Sequence, residues 1–279
     1  AVVPLAPLHL PPALAVIEAV SARLPGVRQV ACFDTAFHAR LPETSRRYPV
    51  PERWTAEYGI RRYGFHGLSV DWATERAAVL LGASASRLRL VVAHLGAGSS
   101  VTAVDRGRSV DTSMGYTPLE GLMMATRSGS IDPGIVTALL RDGRRTIDDI
   151  DDDLLHRSGL LGVGGSADMR TLVARAAGGD AAARLAIAMF VDRAAAGIAA
   201  AATRLATLDA VVFTGGIGEG AASVRAAIVR RLTVLGFAPI DARRRVGDRI
   251  LSDLGATPAV LRIEAREDLV IARAVLARQ

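Results

Sequence analysis

Three short β-rich runs joined by two tight turns, within residues 90–112, constrain this chain more than any other feature. Residues 90–93 are apolar and end at His94, residues 99–104 mix small and β-branched side chains, and residues 108–112 form a third such run. Between them lie Leu95-Gly96-Ala97-Gly98 and Asp105-Arg106-Gly107, turn signals of the kind that close antiparallel hairpins. The pattern predicts a three-stranded meander whose first strand is buried. Gly96 and Gly98 have no Cβ, so backbone N–H groups at this tip can approach a ligand closely. Such a concavity suits an anion, above all a phosphate. Residues 119–126 are predicted as a helix that delivers Arg127 into the loop Ser128-Gly129-Ser130-Ile131-Asp132-Pro133. A glycine-tipped hairpin beside a projecting arginine points to phosphoryl chemistry.

Before this stretch, Pro11-Pro12 open a helix to about residue 24. Residues 27–33 are predicted as a buried strand ending at Asp34. A carboxylate at the C-terminal end of a strand is as common as an active-site group as it is as a structural turn-former. Gly64-Phe65-His66-Gly67 is a turn whose glycines present Phe65 and His66 to a cleft, and residues 69–81 form a helix stopped at Gly82. After it, residues 133–141 and 146–157 read as two short helices. The acids of residues 148–153 sit near the start of the second, where the helix dipole favours negative charge, so they read as a solvated helix start rather than a metal cluster. Residues 161–166 are predicted as a flexible loop before Asp168-Met169-Arg170. A long helix follows, with Ile187, Phe190, Val191, Ala194 and Ile198 on one stripe. Residues 210–213 are a buried strand running into Thr214-Gly215-Gly216-Ile217-Gly218-Glu219 and an amphipathic helix to about residue 235. Strand, glycine turn and helix N-terminus together make an anion or nucleotide cradle, although such turns are frequent. The chain closes with a strand at 259–263, an acid-containing turn at 264–268 and a helix at 269–277.

Composition excludes several function classes. The 279 residues suffice for one large domain or two ordinary ones. All 34 basic residues are arginine, which reads as compositional bias. Despite a net charge of +6, the arginines are interspersed with acids, Arg243-Arg244-Arg245 is their longest run, and no aromatics accompany them, so no nucleic-acid partner is expected. The single cysteine, Cys32, allows no internal disulfide and fits a reducing, cytoplasmic compartment. The most apolar helix, around residues 181–206, is interrupted by Arg184, Asp192, Arg193 and Arg204, so no membrane span is expected, and no signal-peptide pattern is visible. Beginning at Ala1 in a proline-punctuated segment, the chain reads as a piece of something longer.

The order of elements is similar to the ribonuclease-H-like half-domain of actin, sugar kinases and heat-shock ATPases, in which the hairpin and the later glycine turn grip a nucleotide from two sides. Fold alone does not settle function; the motifs narrow it. They are Leu5-Ala6-Pro7-Leu8-His9, Phe33-Asp34-Thr35-Ala36-Phe37-His38, Arg61-Arg62-Tyr63-Gly64-Phe65-His66-Gly67, His94-Leu95-Gly96-Ala97-Gly98 and Val110-Asp111-Thr112-Ser113-Met114-Gly115. Further on come Thr117-Pro118-Leu119-Glu120-Gly121, Thr126-Arg127-Ser128-Gly129, Phe213-Thr214-Gly215-Gly216-Ile217-Gly218-Glu219 and Glu267-Asp268-Leu269-Val270-Ile271-Ala272. In these motifs the chain resembles the acetate/propionate kinases over nearly its whole length. The resemblance implies an α/β, ribonuclease-H-like (actin-like ATPase) duplicated-domain fold. Its second domain, residues 35–267, would be complete. Its first would be reduced to residues 1–34 plus the closing helix, 268–279.

The implied reaction is ATP + acetate ⇌ ADP + acetyl phosphate, by direct in-line transfer with Mg²⁺ and without a covalent enzyme intermediate, in a homodimer. Such a reaction needs positioning and charge neutralisation more than covalent catalysis. The matched positions then take implied roles. Arg127 holds the carboxylate and the transferring phosphoryl group, His66 donates to an equatorial oxygen, and Asp34 orients Arg127 and the metal-bound substrates. His94 contacts nucleotide phosphate beside Gly96, Ala97 and Gly98. Asp168, Met169 and Arg170 lie near the adenosine, with Gly216, Ile217, Gly218 and Gly220 against adenine and ribose. Glu267 binds Mg²⁺. Leu8, Phe65 and Pro118 form a small pocket for the methyl group, with His9 nearby. His156 reads as surface or packing, Met123-Met124 as core, and Asp111 as a structural partner of the hairpin.

Several positions depart from the family pattern. Ala97 and Gly220 replace asparagines, removing amide contacts to the nucleotide, and Ser130 replaces an aspartate. The family's opening strand, its phosphate loop with a lysine and a substrate-binding arginine have no counterpart, so roughly 100 residues, about one small domain, are expected to be missing. The alternatives are a propionate or other short-carboxylate kinase and a catalytically silent nucleotide-binding module. The retained Arg127, His66, Asp34 and Glu267 argue against the latter.

Overall fold

The computed structural model describes residues 10–243, 246–253 and 255–278; Leu8 and His9 lie outside them. Prolines in the first turn start α1 (Leu10–Arg23), where their missing N–H groups cost nothing. The short α2 (Glu43–Arg46) and α3 (Glu52–Tyr58) each begin directly after a proline, and α4 (Gly67–Leu80) follows. The meander forms as the turn chemistry predicts: β1 (Arg89–Leu95), β2 (Ser99–Asp105) and β3 (Arg108–Thr112) pair antiparallel in sequence order. Next come α5 (Pro133–Asp142), α6 (Ile147–His156), α7 (Gly159–Gly164), α8 (Met169–Ala177) and α9 (Ala181–Ala202). The chain then runs through β4 (Ala210–Thr214), α10 (Gly215–Gly220), α11 (Ala222–Arg231), β5 (Arg249–Ile250), β6 (Ala259–Arg262) and α12 (Glu267–Leu276).

The six strands form one mixed sheet in the order β3-β2-β1-β4-β6-β5. Strands β1, β4 and β6 run parallel, and β2, β3 and β5 run antiparallel to their neighbours. Because successive side chains alternate faces, β1 feeds two cores. Val91, Ala93 and Leu95 join Val211, Phe213 and the Phe190–Ile198 stripe of α9. Leu90 and Val92 join Val212, Leu261 and the Val70, Ala73 and Ala77 face of α4, on which α12 also packs. Each such fully buried Val, Leu or Phe contributes about 1.5–3 kcal/mol, so this three-layer packing fixes the strand ends on which the site is built. Helix α9 is long and apolar enough to cross a membrane by composition alone. Its Ala183, Ala186, Phe190, Ala194 and Ile198 are instead buried, in a core that the helix shares with the sheet and with α7, α8 and α11.

Five expectations need correction. Residues 27–33 form no strand, and Val27 and Phe33 are 56% and 69% exposed; no strand among the described residues pairs with them. Residues 119–126 are not helical. Gly121 at φ +108° breaks the turn, and the backbone there bonds to other segments. Residues 161–166, expected as a flexible loop, mostly belong to α7. Glu267 opens α12 instead of lying in a turn before it, and the helix after β4 is two pieces, α10 and α11, broken at Ala221.

Candidate active site

Strand register decides where the site lies. His94 on β1 sits beside Thr214 on β4, and Phe213 sits beside Arg262 on β6. The C-terminal ends of three parallel strands therefore share one sheet edge, the usual place for a ligand in such sheets. Each end leads into a backbone feature: the Gly96–Gly98 tip, the helical turn α10 and the approach to Glu267. A Cβ placed on Gly96 would lie 3.7 Å from both the Gly216 nitrogen and His94 Nε2, and one on Gly215 would lie 3.1 Å from His94 Nε2. The two glycine turns thus meet over His94.

His94 shares the sheet face of Leu90 and Val92, so it points towards α4. There its ring stacks on His66, with centroids 4.1 Å apart and planes at 24°. His94 Nδ1 is hydrogen-bonded to Ser69 Oγ at 2.8 Å and His66 Nδ1 to Ser100 Oγ at 3.0 Å, which turns both Nε2 atoms towards the glycine turns. Burial chiefly, then the adjoining His66, lowers the His94 pKa to about 3 despite the opposing pull of Asp34. The ring is neutral at physiological pH.

His66 has a left-handed backbone, φ 60° and ψ 25°, which is uncommon for a residue with a Cβ. Asp34 holds it there. Its Oδ2 accepts the His66 N–H at 2.5 Å, its Oδ1 accepts that of Leu68 at 3.3 Å, and its carbonyl accepts that of Gly67 at 2.9 Å. Those are open donors at the start of α4, where negative charge is also favoured by the helix dipole. Buried His38 braces the preceding residue, bonding Ser109 Oγ through Nδ1 (2.8 Å) and the Phe65 carbonyl through Nε2 (3.0 Å); burial pushes its pKa down.

Arg127 arrives on a pinned loop. Arg62 donates to the carbonyls of Ser113 and Met114 and, at 2.9 Å, to Glu120, which also accepts the Tyr48 hydroxyl proton. The Ala125 N–H reaches the Ala97 carbonyl at 3.2 Å, tying the loop to the hairpin tip. Arg127 is only 8% exposed, and its Nη1 donates to the buried Pro118 carbonyl at 3.1 Å and contacts Met124 Sδ at 3.8 Å. Burial lowers its pKa, but guanidinium is not deprotonated in proteins. A Cβ on Gly98 would lie 3.2 Å from His66 Nε2 and 3.5 Å from Arg127 Nη1. A cation and an imidazole nitrogen converge on the space over this glycine.

Glu267 adds a second carboxylate. Its pKa is raised, first by burial and then by Asp34, so a divalent cation there would relieve two neighbouring negative charges. Among the described residues no group of three or more His, Cys, Asp or Glu side chains could hold a metal alone. The residues therefore fit Mg²⁺ in its usual nucleotide mode, one or two carboxylates with phosphate oxygens and water completing the shell.

Other expected positions lie off this centre. Asp168 caps α8 and pairs with exposed Arg170, and no hydrogen bond or ion pair among the described residues ties them to the histidines. The Met169 side chain is 3% exposed and belongs to the core, leaving only its backbone to meet a ligand. Gly216 and Gly220 are open, Gly218 packs near the end of β4, and Ile217 lies half-buried against the core. His156 is exposed, and Asp111 accepts from Arg204 Nε at 3.1 Å, in line with the surface and structural readings. Sequence reasoning missed Ser69, Ser100, His38, Arg62 and Glu120 as positioning groups. The last three stood inside quoted motifs, but nothing about a lone serine marks it.

The Acetokinase family model matches residues 1–273. The chain is 48% identical to an acetate kinase from Deinococcus deserti over 279 residues, covering 98% of this chain and 70% of that protein. It superposes with a TM-score of 0.92 on the crystal structure of Porphyromonas gingivalis acetate kinase (36% identity, 99% of this chain and 70% of that one). It superposes equally well, at 0.92, on a propionate kinase from Francisella tularensis (41% identity, 98% and 70%).

Proposed function

The chain belongs to the acetokinase family, and from that premise we propose how its own residues carry the ATP-dependent phosphorylation of acetate. The sheet order, a meander followed by parallel β4 and β6, supports the ribonuclease-H-like reading. The nucleotide lies across the C-terminal edge of the sheet. Its adenosine end runs along Gly216–Gly220 and the start of α8, and its phosphates lie between the Gly96–Gly98 tip and α10. A carboxylate oxygen of acetate attacks the terminal phosphorus in line, the bond from that phosphorus to the ADP oxygen breaks, and ADP leaves with the electron pair.

Charge spreads over three equatorial oxygens as this happens, so catalysis is positioning and electrostatic stabilisation. Arg127 neutralises that charge through a planar fork, which an ammonium cannot reproduce. His66 Nε2 donates to a neighbouring oxygen, and Asp34 keeps His66 in place. Glu267, with Asp34 beside it, would hold Mg²⁺, which neutralises phosphate charge when bound. Phe65 and Pro118, with Leu8 and His9, would bound the methyl pocket. Family likeness alone supports a cytoplasmic homodimer.

The observation that carries this reading is the convergence of Arg127 Nη1 and His66 Nε2 within 3.5 Å of one point over Gly98. The likeness to a propionate kinase makes propionate the second reading. Hydroxylamine trapping of acyl phosphate with ATP and a series of short acids, on a polypeptide that also carries the phosphate-loop domain expected to be missing from residues 1–279, separates the two. Acetate should give the highest kcat/KM; a tenfold preference for propionate would transfer the assignment to it. Absence of hydroxamate from every acid would overturn the kinase reading.

A further inference from the structure

Ser69 belongs to none of the motifs that carry the chemistry, yet its side chain is fully buried beneath the site, in the first turn of α4. Its hydroxyl has one hydrogen-bond partner among the described residues, His94 Nδ1 at 2.8 Å. The carbonyl one turn back, on Phe65, to which a helical serine often donates, is bonded by His38 Nε2 at 3.0 Å and not by Ser69. A buried hydroxyl proton with no acceptor is costly, whereas an unused oxygen lone pair is cheaper. If His94 carried its proton on Nδ1, that proton would go to Ser69 Oγ and the serine's own proton would have no acceptor. The economical arrangement is the reverse, with Ser69 donating to Nδ1.

We propose that Ser69 is a positioning residue that fixes His94 as its Nε2–H tautomer and aims that N–H at the seam between the Gly96–Gly98 tip and α10. The proposal rests on the kinase reading for its purpose, because nucleotide phosphates only accept hydrogen bonds. Neutral imidazole has a single N–H to place, and His94 is held neutral by burial and by the stacked His66. With the proton on Nδ1, a lone pair would face the phosphates. A Cβ on Gly215 or Gly96 would lie 3.1 or 3.7 Å from Nε2, so that nitrogen faces the seam.

The test is ¹⁵N NMR of the ring-labelled wild-type protein, with His94 assigned by the signal lost in His94→Gln. The expected spectrum shows Nδ1 unprotonated and Nε2 protonated. Ser69→Ala should give a mixture of tautomers and raise KM for ATP on the order of tenfold, the low end for losing a hydrogen bond to a charged group, with kcat nearly unchanged. Ser69→Thr, which keeps the hydroxyl, should restore both the spectrum and KM. An active enzyme whose His94 carries its proton on Nδ1 overturns the tautomer assignment whether or not Ser69→Ala folds. A shifted tautomer in Ser69→Ala with unchanged KM for ATP overturns the positioning role. Wild-type protein that forms no acyl hydroxamate overturns the underlying kinase reading and with it the purpose assigned here, while the NMR result stands separately.

Discussion

Two buried histidines are held neutral for different ends, and both should show in the pH dependence of stability. His94 has its pKa lowered to about 3 and His38 is also shifted down, burial being the leading cause in each. In the unfolded chain each takes up a proton near pH 6.5. Below that pH the unfolded state binds more protons, so stability falls as the solution is acidified, by up to about 1.4 kcal/mol per pH unit for each histidine. Above it neither residue contributes a slope. Urea midpoints between pH 5 and 7.5 should therefore decline on the acid side, and His38→Gln should flatten that decline. Equal slopes in the two proteins would refute the buried neutral His38. Asp34 teaches a related lesson. Sequence left it evenly between active-site group and turn-former, and its carboxylate accepts the N–H groups of both His66 and Leu68. Only the neighbouring α4, whose open N-terminus needs acceptors, could have revealed that. Glu267 is the residue for metal. Glu267→Ala should raise the Mg²⁺ concentration for half-maximal activity while leaving binding of metal-free nucleotide nearly intact, read by titration and calorimetry. An unchanged Mg²⁺ requirement would move the role to Asp34.

At the scale of elements, what was legible was local. The meander β1–β3 follows from two turns whose glycines sit where tight hairpins need them, and α6 follows from Thr146 and Asp149, which form a capping box. Failures came where a segment's state depends on distant partners. Residues 27–33 have strand composition, but a strand exists only in a pair. Residues 119–126 have helical spacing, but their backbone is claimed by Arg127, Ala97 and the start of α7, which takes the Met124 and Ala125 carbonyls. The hairpin tip supplies a direct test. Gly98 does not have a positive φ, so Gly98→Ala is tolerated by the backbone, yet its methyl group would enter the space between His66 Nε2 and Arg127 Nη1. The variant should melt within a few degrees of wild type while kcat/KM falls on the order of 10²-fold, the effect of displacing reacting groups by about 1 Å. Activity within threefold of wild type would show that nothing reacts over Gly98.

The whole molecule makes the site by register. Asp34, His66, His94, Arg127 and Glu267 are spread over most of the chain; the alignment of β1, β4 and β6 sets the edge at which His94 and the glycine turns meet, and the start of α4 and the Arg127 loop bring His66 and Arg127 to it. Sequence motifs named these five residues through family resemblance; no spacing rule could have shown that His66 stacks on His94 or that Arg127 reaches Gly98. The central claim is that Arg127 and His66 act together on one transferring phosphoryl group. A double-mutant cycle measured by hydroxylamine trapping tests it most directly. Arg127→Ala should lower kcat on the order of 10³-fold and His66→Ala on the order of 10²-fold, as for loss of one oxyanion donor. Because residues acting as a unit are not additive, the double variant should be little worse than Arg127→Ala alone. Losses that multiply in the double variant, or an Arg127→Ala enzyme within tenfold of wild type, would contradict the account.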